Sequence, residues 1–175
     1  FEKRNGQSAL VKGFTLELRA NYNRKIQVET GLTLQNSEFE NPVEYIQGVE
    51  PRRLFLRTPN SYGFANISFT PNKVWSFNLN YVYTGSMELA HYGGAVNFSQ
   101  DQMIETKPFS ELNCKLSYTI CLSKFKHDIE LFTGMKNMLN EYQNDFDIGK
   151  NRDSNYIYGP NMPRTFFIGI KLRTD

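Results

Sequence analysis

The sequence predicts an all-β fold, an antiparallel up-and-down meander of about seven strands forming the C-terminal portion of a large transmembrane β-barrel. Three observations carry this reading. Segments of roughly ten residues alternate apolar and polar side chains, the period-two signature of strands. The links between them alternate in length: residues 23–25, 71–74 and 123–126 are short, while 38–60, 85–107 and 139–163 are long. The polar faces also carry charges that a dry core would not tolerate, because a buried unpaired charge costs several kcal/mol. A soluble sandwich has no reason to gather every tight turn at one end, whereas a bacterial outer-membrane barrel has short periplasmic turns and long extracellular loops.

The first strand is expected over residues 10–22. There Leu10, Phe14, Leu16, Leu18, Ala20 and Tyr22 share one face and Gly13, Thr15, Glu17, Arg19 and Asn21 the other. Beyond the Asn23-Arg24-Lys25 turn, Ile26, Val28, Leu32 and Leu34 oppose Gln27, Glu29, Thr33 and Gln35. The third strand, 61–69, is weaker, with Ala65, Ile67 and Phe69 against Asn66 and Ser68. The fourth places Trp75, Phe77, Leu79, Tyr81 and Tyr83 opposite Ser76, Asn78, Asn80 and Thr84, an order suited to aromatic belts at two membrane interfaces. The fifth, 109–122, sets Leu112, Cys114, Leu116, Tyr118, Ile120 and Leu122 against Glu111, Asn113, Lys115, Ser117 and Thr119. The sixth, 128–138, is irregular: Thr133 falls on the apolar side and Phe132 on the polar side, which a β-bulge would explain. The last, 164–173, sets Phe166, Ile168, Ile170 and Leu172 against Thr165, Gly169, Lys171 and Arg173.

Composition agrees with a barrel wall. Mean hydropathy is negative, and no stretch approaches the roughly 18 apolar residues of a membrane-crossing helix. Strands that alternate dilute the hydropathy signal, and fourteen Phe with ten Tyr supply rings for interfacial girdles. A net charge of +2 with interspersed signs gives no nucleic-acid footprint. Cys114 and Cys121 lie on opposite faces of one strand, about 23 Å apart, and cannot bridge. The chain begins with Phe1 and shows no charged-then-apolar leader, which fits either a cytosolic protein or the later part of a longer exported one; the strand pattern favours the second expectation. An odd strand count cannot close an ordinary bacterial barrel by itself, which points the same way.

The run Lys136-Asn137-Met138-Leu139-Asn140-Glu141-Tyr142-Gln143, followed by Asp147-Ile148-Gly149, Arg152-Asp153-Ser154, Tyr156-Ile157-Tyr158-Gly159-Pro160 and Pro163-Arg164-Thr165-Phe166-Phe167-Ile168-Gly169, resembles the C-terminal end of TonB-dependent outer-membrane receptors of Bacteroidetes-type bacteria. The likeness has two departures. Met138 stands where the family's Asn-Leu-Phe motif has Phe, and the chain ends Leu172-Arg173-Thr174-Asp175 rather than on an aromatic residue. The resemblance implies that residues 1–175 form the C-terminal segment of a barrel of about 22 strands, plug and TonB-contact segment lying outside it. It implies outer-membrane lipid as surroundings, a metal chelate such as a siderophore, heme or cobalamin as cargo, and TonB as energy partner through the missing N-terminal region. No cofactor and no enzymatic activity are expected.

Candidate substrate-binding residues lie in the long loops. Arg52, Arg53 and Arg57 form a cationic group suited to an anionic chelate, and His91, Tyr92, Tyr142, Tyr156 and Tyr158 offer rings for stacking on a flat ligand. His91 and His127 fall at opposite ends of the expected wall, so they share no metal site. The segment 145–153 alternates oxygen donors like a calcium loop but lacks Gly at its sixth place and Glu at its twelfth, and no metal is assigned to it. No phosphate loop, nucleophile elbow or Cys-x-x-Cys occurs. The competing reading is a soluble β-sandwich or small barrel binding carbohydrate or protein, in which the polar faces meet bulk water.

Overall fold

The computed structural model describes residues 6–122 and 127–174. Ten strands follow in order: β1 (Ala9–Tyr22), β2 (Ile26–Val43), β3 (Arg52–Leu54), β4 (Ser61–Phe69), β5 (Trp75–Thr84), β6 (Glu88–His91), β7 (Gln102–Glu105), β8 (Phe109–Leu122), β9 (His127–Lys136) and β10 (Thr165–Thr174). Seven of them form one sheet in the order β1-β2-β4-β5-β8-β9-β10, every pair antiparallel, with β3 added to the far end of β2. This is the expected all-β meander, the architecture of a section of barrel wall. The links 23–25 and 71–74 fall at one end of the sheet; the third expected short link, 123–126, lies outside the described residues.

The long links hold more order than their composition announces. β2 runs on to Val43, because residues 38–43 find partners in β3 and in the start of β1, where Ala9 faces Phe39. The 85–107 link carries its own hairpin, β6–β7. The irregularity at Phe132 is not a bulge: β9 runs in unbroken register with β8 and β10. Phe132 instead faces Gly169 across the ladder and lies beneath the Lys115 ammonium, 4.5 Å from its ring centre. Phe167 covers Gly134 in the same way. A glycine opposite each ring leaves room for it on an otherwise polar face.

Register carries the apolar face intact across the sheet. Ala20, Val28, Ile67, Leu79, Cys114, Met135 and Phe166 form one continuous row, and Tyr22, Ile26, Phe69, Phe77, Leu116, Thr133 and Ile168 another. No helix occurs among the described residues, and every extensive contact between elements joins neighbours within a sheet. The apolar face is therefore uncovered: Phe14, Leu16 and Ile168 are 64%, 59% and 86% exposed. The buried apolar residues, Ile46, Leu89, Ala90, Ala95 and Tyr156, all lie outside the seven-stranded sheet, toward the long loops. At the short-turn end, Trp75 packs on Tyr118 with ring centres 4.8 Å apart and lies beside Phe77.

The opposite face is knitted by polar side chains. Arg19 pairs with Glu29 at 2.7 Å. Asn80 donates to Asn66 at 2.7 Å, Asn113 to Asn80 at 2.9 Å, and the Asn137 backbone N–H to Asn113 at 2.8 Å. Nearer the short turns, the buried Glu130 carboxylate takes Lys115 at 3.1 Å and Arg173 at 2.6 Å. Each such bond contributes on the order of 1 kcal/mol net, or less where its partners are exposed. Cys114 stands on the apolar face between Leu79 and Met135, and Cys121 on the polar face opposite Asp128.

Candidate functional site

At the long-loop end the three links close over one another into a canopy. Its frame begins with two asparagines in left-handed backbone conformation, Asn137 (φ 49°) and Asn140 (φ 58°), a region this residue tolerates better than most. The Asn137 amide donates to the carbonyls of Glu141 and Met162, at 3.0 and 2.9 Å, and Asn140 Oδ1 accepts the Arg164 N–H at 2.9 Å. The two asparagines thus tie the start of the last long link to its end, where β10 begins. Gln143, only 1% exposed, braces the middle: its amide donates to the Tyr156 carbonyl and its oxygen accepts the Tyr158 N–H.

His91 is the centre of the canopy. Its imidazole lies between Phe98 and Tyr156, with ring centres 3.6 and 3.5 Å away and planes within 5° of parallel. Its Nε2 meets Asp147 Oδ1 at 2.9 Å; an ionised carboxylate only accepts, so the histidine donates. Asp147 Oδ2 accepts the Asp153 N–H at 3.0 Å, and Asp153 in turn accepts the N–H groups of Tyr92 and Asn155. Both members of the His91–Asp147 pair are buried, so this bond joins the 85–107 link to the 139–163 link out of reach of water, and the Asp153 bonds continue the tie toward the surface.

A second clasp lies beside it. The hydroxyls of Tyr156 and Tyr158 both donate to Asp145 Oδ2 at 2.7 Å. Partial burial opposes charge on Asp145, but the two phenol bonds outweigh it and hold the carboxyl below its ordinary range. Burial and the same carboxylate push Tyr158 up to about 12 and Tyr156 higher still. Beside the clasp, Tyr142, Glu141, Thr106, Lys107 and Phe109 help line a cleft of about 680 Å³.

The residues singled out from sequence fall into three groups. His91, Tyr92, Tyr156, Tyr158 and Arg57 come together. Arg57, itself at φ 60°, spends its guanidinium on the carbonyls of Asn155 and Ile157, and Tyr92 donates to the Tyr45 carbonyl at 3.0 Å. Arg52 and Arg53 stand apart on β3, where Arg53 donates to the Glu40 carbonyl. Tyr142 lines the cleft and is 36% exposed. Both faces of the His91 ring are covered and Tyr156 is buried, so these two shape the canopy from within, while Tyr92 and Tyr142 present surface. Asp145, Asp147, Gln143 and Phe98 were not legible as part of the site; the 145–153 segment reads as a loop to which no metal is assigned, and its first two carboxylates serve separate protein partners. Apolar side chains at the loop tips, Val96 and Ile148, are 85% and 63% exposed and adjoin through the Val96 N–H to Ile148 carbonyl bond.

No protein-family model matches the chain, and no curated protein sequence matches it. Among solved structures, the chain is similar to the ferric-catecholate import receptor Fiu of Escherichia coli K12 in its closed form, with a TM-score of 0.64 and 21% identity over 93% of this chain. The match covers 20% of that receptor, so this chain spans about one fifth of its length. At this identity the likeness establishes a shared fold alone, an antiparallel meander consistent with part of a β-barrel.

Proposed function

We propose that this chain is the C-terminal part of the barrel wall of an outer-membrane import receptor of the TonB-dependent type, with its canopy forming part of the outer mouth that receives a metal chelate. The observation that carries the reading is the uncovered apolar face, continuous in register over seven strands and backed by a hydrogen-bonded polar face. Such a sheet is stable where lipid is the solvent on one side and water on the other. Two features add support. β1 and β10 are long, open edges of the sheet, the arrangement expected if further strands of the same wall pair with them. The similar fold belongs to a protein described as an import receptor for ferric catecholates. A Bacteroidetes-type origin rests on the motif run from Lys136 to Gly169, whose two asparagines and Arg164 form the frame of the last loop. TonB coupling belongs to the parent protein outside this segment, and the role is transport rather than catalysis. Among candidate ligand contacts, Tyr92 and Tyr142 are the accessible rings, and Arg52 and Arg53 the accessible cations of β3.

Fractionation of cells making the parent protein tests the class: it sediments with the outer membrane and needs detergent for release. Recovery in the aqueous fraction without detergent would defeat the proposal. Equilibrium binding of the purified receptor to a ferric siderophore, heme and cobalamin then identifies the cargo. The variant Tyr142→Ala weakens the preferred chelate about tenfold, as expected for loss of one stacking contact worth about 1 to 1.5 kcal/mol.

A further inference from the structure

The two described short turns carry cations and no acids. The first is Asn23-Arg24-Lys25, the second Pro71-Asn72-Lys73-Val74. Arg24 has a φ of 56°, a left-handed conformation that an arginine adopts at a cost glycine avoids. The turn thus holds a charge where backbone geometry alone would favour glycine. Arg24, Lys25 and Lys73 are exposed, and none is paired with a carboxylate among the described residues. Immediately inside this rim, on the apolar face, lies the ring cluster built on Trp75 and Tyr118. Aromatic rings of this kind lodge at headgroup depth, which sets the turn cations level with lipid phosphates.

The opposite end has the reverse sign. Residues 38–60, 85–107 and 139–163 hold eleven acidic and six basic side chains, a balance of −5. Charge is therefore polarised along the strand direction, with the cations concentrated at the two turns beside the interfacial rings.

We propose that this short-turn rim is a docking surface for anionic phospholipid headgroups of the leaflet that surrounds it, engaged by Arg24, Lys25 and Lys73 above the Trp75–Tyr118 pair. The inference rests on the barrel-wall reading above. A lysine or arginine near an anionic membrane surface favours association about fivefold, and screening by salt weakens the effect.

The test uses the full-length parent protein reconstituted in phosphatidylcholine nanodiscs containing a photoreactive phosphatidylglycerol or a matched photoreactive phosphatidylcholine, with adducts mapped by peptide mass spectrometry. The anionic probe is expected to label peptides carrying Trp75 and Tyr118 well above the zwitterionic one. Excess 500 mM salt lowers that preference, and soluble glycerol phosphate leaves it in place. Lys73→Gln alone reduces the preference about fivefold. The triple variant Arg24→Gly, Lys25→Gln, Lys73→Gln removes nearly all of it, while glycine at position 24 suits the turn. Equal labelling by the two probes, or preference unchanged in the Lys73→Gln protein, would overturn the proposal. Competition by glycerol phosphate would also overturn it, by revealing a soluble phosphate site. A parent protein that does not enter nanodiscs at all overturns the barrel-wall reading as well, a result distinct from an inserted wall indifferent to headgroup charge.

Discussion

Asp145 accepts two phenols on one oxygen, and this local chemistry sets the pH range over which the last loop is held. Its carboxyl is depressed below the ordinary range near 4, so its contribution is present above about pH 4 and lost as pH falls through the folded value. Tyr158 is raised to about 12, so its contribution is complete below about pH 10, where a free phenol stays neutral, and is lost as pH rises through about 12. The clasp is thus strongest across the intervening window and loosens on both sides. Absorbance titration at 295 nm, taken as the difference between the parent protein and its Tyr158→Phe variant, shows a phenol ionising near pH 12; a midpoint near 10 would mean that no such clasp exists. The aromatic half of this cluster was legible in the sequence, since Tyr156 and Tyr158 sit in a loop rich in turn-forming residues. The acidic half was not, because an Asp-x-Asp spacing reads equally as an ion loop, a solvated turn or a pair of hydrogen-bond acceptors. His91 posed the same problem. A single histidine in a loop carries no sequence sign that Phe98 and Tyr156 will cover both its faces.

The seven sheet strands were readable because period-two alternation is written directly in side-chain chemistry and each strand is long enough to repeat it several times. β3, β6 and β7 span three or four residues each, too short for any periodicity to stand out, and their pairing is decided by what the neighbouring loops leave open. Phe132 misled for a different reason: an aromatic residue on a polar face suggests a break in register until the glycine across the ladder is known. Gly169 is that glycine, and a Cβ built there meets the Phe132 ring. Gly169→Val is therefore expected to destabilise the wall by about 1 to 3 kcal/mol, the usual range for overpacking. Ile168→Val, one residue away on the apolar face, is expected to cost much less. Adding Phe132→Ala to Gly169→Val recovers part of the loss. Unfolding of the parent protein in detergent, followed by heat-dependent gel mobility, ranks the variants; equal stability of Gly169→Val and Ile168→Val would contradict the packing.

At the scale of the molecule, apolar side chains line one uncovered face of the sheet and hydrogen-bonded polar ones the other. The two-sided character was legible because charges such as Glu17, Glu29 and Lys115 recur opposite Leu and Ile on strand after strand. The identity of a ligand was not legible, since the canopy's accessible side chains are few.

One strand also carries its own gauge of the two solvents. Cys114 and Cys121 sit on opposite faces of β8, the first among Leu79 and Met135, the second facing Asp128. In the reconstituted parent protein a charged, water-soluble maleimide is expected to modify Cys121 while sparing Cys114, and a quencher dissolved in the acyl chains to dim a fluorophore on Cys114 and not one on Cys121. Equal accessibility from both sides would mean that β8 does not divide oil from water. Two native thiols, seven residues apart, thus turn the alternation of a single strand into a direct measurement of inside and outside.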